Sequence, residues 1–310
     1  MDQPVTPGEV RIREVGPRDG IQSERVHVPT GEKVRLIDAL SRTGLRWIEA
    51  VSFVSPRAVP QMADAREVWN GITRDPRVFY SALVPNRRGA EIAAECGVDG
   101  VQVFVAASDA YNLKNVHKTV RESIADVAEV CAVANRARIP VEGTISTSFG
   151  CPYEGDVHPA RVVEVSRWLV DQGIGVISYG DTTGMATPRR VREVIEAVGH
   201  ELPEVTMNMH FHDTRGTGLA NVLSALEAGI DYFDASVGGM GGSPFAQGAT
   251  GNIATEDLVH MLEDMGVATG IDLEALLAAA HVAQGLIEGE LPGKVLKAGP
   301  RWRVGADAGT

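Results

Sequence analysis

The segment most able to do chemistry is Met207-Asn208-Met209-His210-Phe211-His212-Asp213. Read as a strand, it sends alternate side chains to opposite faces, so His210 and His212 point the same way. One histidine on a strand is usually a satisfied core residue. Two at i, i+2, at the end of a strand, read as a pair of imidazole metal ligands. A second segment, Glu14-Val15-Gly16-Pro17-Arg18-Asp19-Gly20-Ile21-Gln22, sets a guanidinium beside a carboxylate after a short apolar run. Arg18 and Asp19 could form a plain surface ion pair, or face a site. A third, Glu49-Ala50-Val51-Ser52-Phe53, carries a carboxylate inside an apolar run. A buried carboxylate needs a partner, and Arg18 is a candidate; the alternative is an edge-exposed Glu. A fourth, Gly238–Asn252, is rich in glycine and thus free at positive φ. It reads as a lid over a site. A plain connector and a phosphate loop are the alternatives, although no helix start and Lys follow in Walker fashion.

These segments need a scaffold. Short β-branched runs alternate with amphipathic helical stretches. Strands are expected at Val10–Val15, Trp47–Val51, Phe79–Leu83, Val101–Val105, Val141–Thr147, Gly175–Gly180, Thr206–His212 and Tyr232–Val237. Helices are expected at Gly31–Arg42, Arg87–Cys96, Lys118–Ala137, Pro159–Gln172, Pro188–Val198 and Gly216–Glu227. Gly97, Gly173 and Gly229 sit where helices should stop, and Pro188 where one should start. Such alternation implies a parallel sheet, and eight units imply a closed (β/α)8 TIM barrel. An open Rossmann sheet fits less well, because no G-x-G-x-x-G follows the first strand. Residues 1–310 then form one catalytic domain: a barrel over about 10–250, then C-terminal helices near Ala254–Met265 and Leu273–Glu288 and a tail. Those helices either cap a barrel end or form a partner surface.

Barrel enzymes work at the C-terminal ends of their strands. Closure makes strands 7, 8 and 1 neighbours, so Asp19, His210, His212 and Asn252 can converge. One carboxylate, two imidazoles and one amide oxygen make a hard donor set suited to Mg2+ or Mn2+. Two His and one carboxylate also match an Fe(II) triad, and a Zn2+ hydrolase is a further alternative.

Bulk properties agree. The chain has 310 residues, 44% apolar, with a formal net charge of −12. That charge disfavours non-specific nucleic-acid binding. Apolar stretches fall short of the ~20 residues that span a bilayer, and Met1–Val10 has no apolar h-region, so no membrane partner is expected. Cys96, Cys131 and Cys151 have neither metal spacing nor a disulfide pattern, which fits a cytoplasmic protein.

In these motifs the chain resembles the 3-hydroxy-3-methylglutaryl-CoA lyase family, within the metal-dependent TIM-barrel lyases and Claisen condensing enzymes. The likeness runs from about Val10 to Gly270. It rests on residues 14–20, Ser52–Pro56, Gly150–Gly155, Gly180–Thr182, His210–Thr214 and Ala246–Asn252. The resemblance implies that Asp19, His210, His212 and Asn252 hold the metal, that Arg18 faces the acyl carbonyl, and that Glu49 holds Arg18. It also implies an acyl-CoA substrate and a homodimer. Asp181 and Thr182 could order the surroundings of the ligands. Gln22 and Ser52 are candidate substrate contacts. Arg25, Asn112, Lys114, Asn115 and Lys118, with Arg87 and Arg88, could form a basic rim for CoA phosphates. The family typically carries a loop Cys that transfers protons; here that position is Ser243. A hydroxyl is a far weaker acid than a thiol. Three outcomes follow: a slow lyase of the same substrate, a lyase of citramalyl-CoA or a longer-branched glutaryl-CoA, or a condensing enzyme. Cys151 could replace the thiol, but a structural place in a turn suits it better. Outside these, an aldolase, a Claisen synthase, a metal hydrolase and a non-catalytic acyl-CoA-binding protein compete.

Overall fold

A computed structural model describes residues 7–242 and 251–303 of the chain. Eight parallel strands close into a barrel in chain order: β1 (Arg11–Glu14), β2 (Trp47–Ser52), β3 (Phe79–Leu83), β4 (Gly100–Ala106), β5 (Val141–Ser146), β6 (Val176–Gly180), β7 (Thr206–His210) and β8 (Tyr232–Ala235). Closure is made by β1 lying between β2 and β8, with Arg13 level with Trp47 on one side and Asp234 on the other.

Among the described residues the helices are α1 (Thr30–Leu40), α2 (Ala65–Gly71), α3 (Arg87–Cys96), α4 (Asp109–Val116), α5 (Val120–Ala137), α6 (Pro159–Val170), α7 (Pro188–Glu201), α8 (Gly218–Glu227), α9 (Thr255–Asp264), α10 (Leu273–Gln284) and α11 (Lys294–Ala298). Their ends follow local chemistry. The Asn86 side chain caps α3, and Gly97 ends it at φ 68°; only a residue without Cβ takes that conformation cheaply. Thr119 and Glu122 form a capping box that starts α5. The short helices α2 and α4 lack an apolar stripe long enough to read in the sequence, and α4 turns part of the expected loop after β4 into structure.

The expected β7 is two residues too long. The strand ends at His210, and His212 instead makes an isolated antiparallel bridge with Asn252. The core lies between barrel and helices, where Leu36, Ile37, Ile48, Val103, Val162, Ile177 and Val222 are buried. Beyond β8, α9 and α10 take the place of the eighth outer helix: α10 packs on α1, and both meet the turn Val237–Gly239. They sit in the helical ring rather than across a barrel end. No helix among the described residues is long and apolar enough to cross a membrane.

Candidate active site

The chain leaves β1 through a π-helical turn, Gly16–Gly20, in which the Val15 carbonyl accepts from the Asp19 N–H at 2.7 Å. Both glycines are needed for close approach. A Cβ on Gly16 would lie 2.6 Å from Glu14 Oε1, and one on Gly20 would lie 2.8 Å from Met240. The tight turn aims Arg18 and Asp19 into the barrel mouth. Arg18 Nε donates to Glu49 Oε2 at 2.8 Å, and its Nη1 donates to Asp19 Oδ1 at 2.7 Å. With 12% of its side chain exposed, Arg18 is no surface ion pair. Burial opposes its charge, but Glu49 and then Asp19 hold it protonated.

Asp19 turns its other oxygen to the seam between β7 and β8, where Asn252 Nδ2 donates to Oδ2 at 2.8 Å. Ligand-capable atoms of Asp19, His210 and His212 all lie within 4.8 Å of one another. His210 Nε2 and His212 Nε2 face each other at 3.2 Å. Asn252 spends its amide N–H on Asp19 and on the Met240 carbonyl, and its Oδ1 is buried without a partner among the described residues. The two imidazoles lie on one side, although β7 ends at His210 and His212 belongs to the bridge with Asn252. Two imidazoles, one carboxylate and a free amide oxygen form a hard, buried donor set that fits a divalent cation. Burial disfavours a charged Asp19, but Arg18 and the two imidazoles outweigh it and hold the carboxyl below its usual range. Burial, with His210 next, pushes His212 down to about 4, so its imidazole is neutral at neutral pH.

Below this cluster lies a network missing from the sequence reading. Asp234 on β8 accepts from Arg13 Nε at 2.8 Å, Arg13 Nη2 at 2.9 Å and Asn208 Nδ2 at 2.7 Å. Its Oδ2 also lies 3.1 Å from His210 Nδ1. Burial works against the Asp234 charge, but Arg13 and His210 hold it well below the usual carboxylate range. Arg13 reaches across to Glu142 Oε2 at 2.5 Å. Glu14 takes the Gly16 and Val237 N–H groups and the Thr255 hydroxyl, fixing the roots of two loops. The available signal was charged residues inside strand-like runs, a pattern that had been used only for Glu49.

A cavity of about 1510 Å³ opens over these groups and reaches down to Arg13. Gln22, Arg25, Ser52, Asn115, Lys118 and Thr182 line it, as does Arg18. Ser52 Oγ is buried without a partner, and Thr182 Oγ1 accepts from the Thr147 N–H at 3.1 Å. Other expected positions lie elsewhere. The Asn112 amide is spent inside the fold, on Ala106 N, the Lys118 carbonyl and Ser123 Oγ, and shapes the loop after β4. Lys114 Nζ sits 4.8 Å from the centroid of the Tyr153 ring. Arg87 and Arg88 pair with Glu91 on the outside of α3. Asp181 points into its own turn, where Oδ1 accepts from the Met185 and Ala186 N–H groups, and burial pushes it up to about 7. Cys151 is buried in a turn with its Sγ 3.0 Å from Ser108 Oγ. Of the glycine-rich segment expected as a lid, Ser243 and the rest of residues 243–250 lie outside the described residues.

A TIM barrel with a buried carboxylate–imidazole cluster at the C-terminal ends of its strands, and an arginine clamped beside it, has the architecture of a barrel enzyme with its site at that end. The HMGL-like family pattern matches residues 9–283, and the chain belongs to that family of carbon–carbon lyases. It is 49% identical over 271 residues to the mitochondrial hydroxymethylglutaryl-CoA lyase of Gallus gallus, covering 87% of this chain and 91% of that one. It is 46% identical over 291 residues to hydroxymethylglutaryl-CoA lyase YngG of Bacillus subtilis, covering 94% and 97%. The solved HMG-CoA lyase of Bacillus subtilis superposes with a TM-score of 0.92 over 94% of this chain and 98% of that one, at 46% identity. An HMG-CoA lyase of Acinetobacter baumannii, solved with coenzyme A and 3-methylmalate, superposes at 0.91 over 96% and 97%, at 40% identity.

Proposed function

We propose that the protein cleaves 3-hydroxy-3-methylglutaryl-CoA into acetyl-CoA and acetoacetate, with Mg2+ or Mn2+ held by Asp19, His210, His212 and Asn252. The observation that carries this reading is Arg18, fixed by Glu49 and Asp19 beside the ligand cluster. The substrate has a tertiary alcohol β to a thioester. When bound, the divalent ion lowers the pKa of that hydroxyl, as it does for water. Asp19 and His210 are the groups placed to take the hydroxyl proton. As the C2–C3 bond breaks, its electron pair moves toward the thioester carbonyl, and the alcohol carbon becomes the ketone of acetoacetate. The Arg18 guanidinium stabilises the negative charge that develops on the thioester oxygen, and it needs no reorganisation because both its carboxylate partners already hold it. A proton then returns to C2 and gives acetyl-CoA. Ser243 is the proposed donor for that step. Arg25, Asn115 and Lys118 on the cavity wall would take the CoA portion, and the working protein would be a cytoplasmic homodimer.

A second reading keeps the reaction and changes the acyl group to citramalyl-CoA or a longer-branched glutaryl-CoA. Ser243 in place of a thiol favours it. A panel of 3-hydroxyacyl-CoAs, assayed with Mg2+ and with Mn2+ on the protein and its Ser243→Cys variant, separates the two. The first reading expects acetyl-CoA and acetoacetate in equal amounts from hydroxymethylglutaryl-CoA, and a faster Cys variant. Faster turnover of another acyl-CoA, with no gain from Ser243→Cys, selects the second. Binding of every acyl-CoA without release of acetyl-CoA would overturn both.

A further inference from the structure

Asp234 faces three nitrogen atoms that can only donate, and a serine hydroxyl that can donate as well. Arg13 gives it Nε and Nη2, Asn208 gives it Nδ2, and Ser178 Oγ lies 3.2 Å from Oδ2. Arg13 has no other freedom, because its Nη1 is taken by Glu142. A carboxylate so placed has no reason to carry a proton, so the remaining neighbour, His210 Nδ1 at 3.1 Å, has to be the donor. Imidazole holds one proton in its neutral form, and the nitrogen that carries it is set by the bond the other ring atom is left to make. The strand register makes this arrangement rigid: His210 and Asp234 are paired residues of β7 and β8, and Asp234 is level with Arg13 on β1.

We propose that Asp234 is a positioning residue, held by Arg13, that fixes His210 as the Nδ1–H tautomer and turns its Nε2 lone pair toward Asp19 and His212. Its functional meaning rests on the metal site above. Partners that orient ligating histidines in this way change metal affinity by about 10–100-fold.

Two measurements test it. In the metal-free wild-type protein, at alkaline pH where the imidazole is neutral, long-range 15N–1H spectra of labelled histidine, with His210 assigned by His210→Gln, should show a proton on Nδ1 and none on Nε2. The reverse pattern overturns the assignment, and no variant of Asp234 is needed to see it. In the second, Mn2+ is titrated into wild-type protein and into Asp234→Asn, and both are checked for unchanged melting temperature. The variant should bind Mn2+ about 10–100-fold more weakly. At saturating metal it should lose kcat while KM for the acyl-CoA stays within about threefold. Equal Mn2+ affinity in the two folded proteins overturns the positioning role and leaves the metal site standing. Failure of the wild type itself to bind Mn2+ removes the metal site, while the tautomer spectrum still decides what Asp234 does. If Asp234→Asn fails to fold, that spectrum decides alone.

Discussion

The seam where β7, β8 and β1 meet is built differently from the arc opposite, where β3 and β4 open onto the same cavity. At the seam, charged groups are buried and each is gripped by at least two others: Arg18 by Glu49 and Asp19, Asp234 by Arg13 and Asn208. On the arc, the charges stand in water and pair along a single helix or a short loop. Arg87 with Glu91 is an i, i+4 pair, and Lys118 reaches Asp126 with 44% of its side chain exposed. The contrast says where the fold spends its polar interactions. Desolvated, multiply held groups do chemistry because their charge is unscreened and their position fixed. Exposed pairs are worth little each, because water screens them and their side chains stay mobile.

Substitutions that weaken the seam should therefore matter far more than those on the arc. The largest effect is expected for Asp19→Ala, which takes away a proposed metal ligand and one anchor of Arg18. Mn2+ titration should show no binding at the cluster, and acetyl-CoA release should fall to background. Arg18→Gln keeps the ligands but removes the charge that meets the developing anion. Its kcat should fall about 10²–10³-fold with Mn2+ affinity little changed, as steady-state kinetics beside metal titration would show. Equal losses from Arg18→Gln and from arc substitutions would erase the distinction.

A smaller effect concerns stability. Glu256 Oε2 accepts the Gly238 N–H at 2.9 Å, just below the seam, and burial raises the carboxyl from 4.5 to about 7. The folded chain keeps this proton up to about pH 7, whereas the unfolded chain releases it near 4.5. Between those values the folded state binds the extra proton, so this group lowers stability as pH rises through the window. Melting temperatures at pH 5 and pH 8 should differ less for Glu256→Gln than for wild type. An unchanged difference would mean that Glu256 is charged in the fold.

The smallest effect belongs to an exposed charge on the cavity wall, in the loop between β1 and α1. Arg25→Ala should raise KM for the acyl-CoA by about fivefold or less, matching the ~1 kcal/mol of an exposed charge, with kcat unchanged and the loss shrinking as salt rises. A kcat effect would move Arg25 into the reacting machinery.

Much of this was legible in the chain. The alternation of strand and helix, the stops at Gly97 and Gly173, and the carboxylate Glu49 in an apolar run all carry local signals, and the barrel follows from them. Asn112 misled, because a polar residue after a strand looks the same whether its amide faces a ligand or holds the loop. Asp234 passed unread, because a single acid in a four-residue strand has no spacing partner. The histidine pair carried its own local signal, the i, i+2 spacing that sets both rings on one side.

By itself, the sequence determined which groups were available and which strand each would follow, since helix and strand periods, caps and tight turns depend on neighbours a few residues apart. Which groups meet was decided only by closure. Asp19 and Asn252 are 233 positions apart and touch because β1 lies beside β8 in one register. Asp234 finds His210 across 24 positions for the same reason. Contacts between strands are fixed by pairing and by the desolvation of the charges they enclose, and neither is written in any short stretch of chain.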